Sequence, residues 1–125
     1  MSRRAALVGV IIASSLAGCA SPRLAPGLPR VASGQPLPPY QEHEECFAME
    51  KGDELRWRYA ADAPLDFRVQ FRDGKAVVVP VARERVATDS GRFVALAARD
   101  YCATWEARKI GVLLDYSLEL TRPQR

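Results

Sequence analysis

From residue 40 onward, apolar and polar side chains alternate with a period of two. Leu55, Trp57 and Tyr59 alternate with Glu54, Arg56 and Arg58, and Leu65, Phe67, Val69 and Phe71 with Asp66, Arg68, Gln70 and Arg72. This spacing puts successive side chains on opposite faces of a strand. Asp73-Gly74 supplies a tight hairpin turn. Lys75 to Ala82 is the return strand; its valine run suits a buried strand, and Pro80 an edge or a bulge. Ser90-Gly91 predicts a turn into Phe93, Ala95 and Ala97, and Arg99-Asp100 a turn into Tyr101, Ala103 and Trp105. Val112, Leu114, Tyr116, Leu118 and Leu120 alternate along the last strand. The pattern predicts an all-β domain, an antiparallel, jelly-roll-like β-sandwich of about seven to eight strands.

The chain before residue 40 has a different composition. Ser2-Arg3-Arg4 is positive, and Ala5 to Gly18 is uncharged and largely apolar. A stretch that short has the proportions of a secretory h-region and is shorter than a bilayer span. It ends in Leu16-Ala17-Gly18-Cys19, which resembles the lipobox of bacterial lipoproteins. The resemblance implies a signal peptide over 1–18, cleavage before Cys19 and acylation of its thiol. Two acyl chains suffice for stable anchoring. With Ala20 next, it also implies the outer membrane, with the domain facing the periplasm.

Residues 19–39 hold the lipidated Cys and six of the nine prolines, with no aromatic and no acidic residue. Such a segment buries little apolar surface and favours extended conformations. It reads as a disordered tether reaching roughly 60 Å at about 3.1 Å per residue. All ten aromatic residues lie between Tyr40 and Tyr116, so the domain is expected over 40–125. That span carries 14 basic and 15 acidic side chains with the signs interspersed, although the whole chain has a formal charge of +3. Nucleic-acid binding therefore has no electrostatic footprint.

With Cys19 acylated, Cys46 and Cys102 are the thiols left, in an oxidising compartment where pairing is expected. The alternative is two separate buried thiols. Phe47 and Met49 should face the core of the first strand, which turns Cys46 outward. Tyr101, Ala103 and Trp105 should face inward, which turns Cys102 outward with Thr104 and Glu106. A disulfide then requires these two strands to be neighbours in one sheet.

Glu45-Cys46-Phe47, Gly52 to Trp57, Leu65 to Val69, Gly91 to Ala95, Tyr101 to Trp105 and Leu114 to Leu118 together resemble the GOLD domain. This β-sandwich occurs in Golgi-trafficking cargo receptors and some lipid-binding proteins. The resemblance implies the fold and a disulfide like Cys46–Cys102, although the family's second Cys falls where this chain has Thr104. It carries over no catalytic residue.

Other chemistry is sparse. His43 stands among Glu42, Glu44 and Glu45, which lack a specific metal-ligand spacing and read as a solvated acidic entry to the first strand. No glycine-rich phosphate loop is present. No cofactor, metal or catalytic residue is expected. Trp57, Tyr59, Tyr101 and Trp105 could line a ligand groove, although inward aromatics are more often core. Arg56, Arg58, Arg68 and Arg72 could form an outward basic strip facing a phosphate-bearing headgroup or an acidic partner. The expectation is a non-enzymatic envelope lipoprotein whose sandwich is a protein-interaction or assembly-accessory module with a protein partner in the envelope. The alternatives are a carrier of lipid or another hydrophobic ligand, and a small periplasmic enzyme inhibitor.

Overall fold

The computed structural model describes Gly9 and residues 23–124. The lipobox Leu16-Ala17-Gly18-Cys19 and the other signal positions except Gly9 lie outside the described residues. Six strands follow in order: β1 (Arg30–Leu37), β2 (Glu42–Met49), β3 (Glu54–Asp73), β4 (Ala76–Val94), β5 (Arg99–Ala107) and β6 (Val112–Thr121). All pair antiparallel, in the order β1-β6-β3-β5-β2, with β4 along the other edge of β3.

Six strands make a sandwich because two of them serve both layers. The first half of β3 pairs β6 over Glu54–Ala61, and its second half pairs β5 over Leu65–Phe71. Register shifts between Ala60 and Leu65 mark the bend, where Pro64 has no amide hydrogen to donate. Strand β4 follows the same bend. One layer is thus β1, β6 and the adjoining halves of β3 and β4; the other is β2, β5 and the remaining halves. The alternation that reads as seven or eight strands corresponds to these segments.

The inward positions agree with the period of two. Leu55, Trp57, Tyr59, Leu65, Phe67 and Val69 of β3, Phe47 and Met49 of β2, and Leu114, Tyr116, Leu118 and Leu120 of β6 form one buried cluster. Asp73 pairs with Ala76, closing the expected hairpin over Gly74 (φ 61°) and Lys75.

Four expectations change. The tether expected over residues 19–39 is drawn into the domain from Leu24 onward. Leu24 is 4% exposed, Leu37 is buried, and Arg30–Leu37 is an edge strand on β6. Its register slips between Ala32 and Gln35, where Gly34 (φ 63°) gives its N–H to Asp115 Oδ1 at 2.7 Å. A bulge and Pro36 are both tolerated because β1 has a free edge. Secondly, Ser90-Gly91 is no turn. Gly91 sits inside β4 opposite Trp57, where a Cβ would come within 2.4 Å of the indole. Glycine is needed there for close approach, not for chain reversal. Thirdly, Arg99-Asp100 already belongs to β5, and the preceding connection leaves Ala97 exposed. Fourthly, Val77, Val78 and Val79 are exposed, because β4 is an edge strand with a register shift beside Pro80.

Candidate functional site

Cys46 and Cys102 are register partners on β2 and β5, with Cα atoms 4.0 Å apart, and form a disulfide. Both lie on the outward face, as parity requires. Glu44 Oε1 is 3.2 Å from Cys46 Sγ, but a sulfur engaged in a disulfide has no S–H to donate. Thr104 is outward by parity yet fully buried, with Glu44 Oε2 3.5 Å from its hydroxyl.

Trp57, Tyr59, Tyr101 and Trp105 are buried and present no exposed face. Phe67 is stacked by Trp57, Tyr59 and Trp105 at centroid distances of 5.4, 5.1 and 5.3 Å. Trp105 meets Tyr116 at 4.3 Å. Burial pushes the Tyr59 hydroxyl up to about 12.

Polar side chains close the two flanks of the sandwich. On the β1–β2 flank, Tyr116 donates its hydroxyl to Glu45 Oε1 at 2.7 Å, His43 Nε2 lies 2.8 Å from the Tyr116 hydroxyl oxygen, and Arg30 Nε is 3.6 Å from Glu45 Oε2. Burial, then the bond to Glu45 and its charge, push Tyr116 well above the usual phenol range. On the β4 flank, Trp57 Nε1 donates to Asp89 Oδ2 at 3.0 Å, and Arg83 pairs with Asp89 at 3.4 Å.

The expected acidic entry around His43 is therefore split by strand alternation. His43 is half-buried against Trp105 and Tyr116. Glu45 shares its face, while Glu42 turns outward to Arg68.

The four arginines do not form one strip. Arg68 is held by Glu42 Oε1 at 2.6 Å and Glu106 Oε2 at 3.2 Å, and the hydrogen bond from Arg68 holds Glu42 below the usual carboxylate range. Arg72 lines a hollow of about 560 Å³ beside the disulfide, with Glu44 and Asp100. Arg56 and Arg58 lie on the outer face of the other layer, in a hollow of about 510 Å³ with Ser90, Arg92, Ser117 and Glu119.

Three arginines, Arg56, Arg58 and Arg92, line that last hollow beside Glu119. Cross-strand register sets the lining in two rows: Glu119, Arg56 and Arg92, then Ser117, Arg58 and Ser90. Arg56 Nε bonds Glu54 Oε1 at 2.6 Å, and Glu54 is held below its usual range chiefly by that bond. Among the described residues, the side chains of Arg58 and Arg92 make no hydrogen bond and no ion pair, although the Arg92 charge also helps to lower Glu54. Arg92, Ser90 and Ser117 are absent from the sequence-derived candidates. Arg92 does alternate with Phe93, but no local pattern reveals that it faces Arg56. Compared with known proteins, the sequence matches no family model and no curated relative.

Proposed function

We propose that this chain is a non-enzymatic lipoprotein of the bacterial envelope, anchored through Cys19 to the outer membrane and facing the periplasm. Its GOLD-like β-sandwich serves as a protein-interaction or assembly-accessory module. The observation that carries this reading is the mutual packing of Trp57, Tyr59, Phe67, Trp105 and Tyr116 between the layers. Aromatics spent on the core leave recognition to the outer faces, which favours a surface-binding module over a carrier with a ligand between its sheets. The disulfide on the outward face suits an oxidising compartment.

The test is chemical crosslinking in the native envelope followed by capture of the anchored protein. A reproducible protein adduct that disappears on outer-face substitution supports the module. Copurification of a stoichiometric apolar ligand, retained when the outer face is substituted, would overturn it. Mass analysis of the peptide beginning at Cys19 tests the anchor separately.

A further inference from the structure

We infer that the Arg56–Arg58–Arg92 hollow binds the phosphate group of an anionic phospholipid at the bilayer surface, and this rests on the lipid-anchor reading above. The chemistry begins with Arg56 and Arg92, directly opposite each other on β3 and β4. Like charges in that position destabilise a sheet. A bound phosphate anion offsets the repulsion, and guanidinium forks match phosphate oxygens. Arg58 follows one row along, with Ser117 on one side and Ser90 on the other, so hydroxyl donors flank an arginine that no carboxylate engages. Glu54 bonds Arg56, and Glu119 stands opposite it on β6. Arg58 and Arg92 are therefore the pair available to a ligand.

The position of the N-terminal segment selects a lipid as the phosphate's source. Arg30 pairs with Leu118, between the Glu119 and Ser117 rows that carry Arg56 and Arg58. Strand β1 is separated from β3 only by β6, a distance of about 10 Å. Leu24 is already buried. The stretch from Cys19 to Leu24 spans at most about 18 Å, which keeps an anchored domain against the headgroups.

The experiment uses the mature chain from residue 19 with Cys19→Ala, so that vesicle binding depends neither on acylation nor on the cationic, apolar segment 2–18. Binding is expected to vesicles containing phosphatidylglycerol or phosphatidic acid and not to phosphatidylcholine alone. Arg58→Gln with Arg92→Gln should weaken it about thirtyfold, given the usual gain per cation at an anionic surface. Arg85→Gln with Lys109→Gln, which removes equal charge elsewhere, should leave it within about twofold. The melting temperature of each variant reports folding, and Arg92→Gln should not lower it. Equal weakening by both double variants, no binding by the Cys19→Ala chain, or binding of inorganic phosphate without binding of vesicles would each overturn the proposal. An unacylated Cys19 in the native protein would sink the anchor reading while leaving the vesicle result to stand or fall by itself.

Discussion

The Tyr116 hydroxyl donates to Glu45 across 2.7 Å, joining β6 to β2, strands that are not neighbours in the sheet. With Arg30 on the other oxygen of Glu45, this bond ties one layer to the other at the flank where both edge strands end the sheet. Tyr116→Phe keeps the ring on Trp105 and removes the hydroxyl, leaving Glu45 and His43 short of a partner. Unfolding free energy should fall by about 1–3 kcal/mol, measured by urea titration with an unchanged slope.

Gly91 and Trp57 make a second test. A methyl at residue 91 has no room against the indole. Gly91→Ala should cost about 1–3 kcal/mol as overpacking, although alanine is ordinarily the better strand residue. A variant as stable as the parent would show that the indole moves aside easily.

Reduction of Cys46–Cys102 opens a loop of sequence separation 56. The chain-entropy account gives a loss of about 4 kcal/mol, read as a lower urea midpoint in the presence of a thiol reductant. Cys19→Ala should not reproduce this loss.

Acid sensitivity follows from Asp53 and Asp66. Burial pushes Asp53 up, but hydrogen bonds from Arg122 and the Glu50 N–H, with the Arg122 charge, outweigh it and hold the carboxyl below the usual range. Asp66 is likewise raised by burial and lowered further by Arg108 and the Arg85 N–H. Both are depressed in the folded state, so their contribution is complete above the unfolded carboxylate value near about 4 and lost as pH falls through the folded values. Thermal stability should be level from about pH 7 to 5 and drop below about pH 4. Arg122→Ala leaves burial as the main influence on Asp53, so it should lower stability at neutral pH and make the acid-induced drop smaller.

Leu24 tests the shortened tether. Leu24→Ala should destabilise the domain by about 2–5 kcal/mol if the side chain belongs to the core. A free linker would register no change in the melting curve.

The period of two alone determined much of this protein. It supplied the all-β class, the inward aromatics, the Asp73-Gly74 hairpin and the outward parity of Cys46 and Cys102, because side-chain direction along a strand is a local property. Tertiary structure decided what depends on pairing between distant segments. Proline content made residues 24–39 look like linker, yet β6 offered an edge that needed a partner, and Leu24 and Leu37 could reach the core. Gly91 looked like a turn until Trp57 stood across from it. Arg68 belonged with Arg56 and Arg58 until Glu42 and Glu106 took its charge. The grouping of Arg56, Arg58 and Arg92 exists only because β3 and β4 pair in one register, and register is fixed by packing across strands, not by the composition of either one.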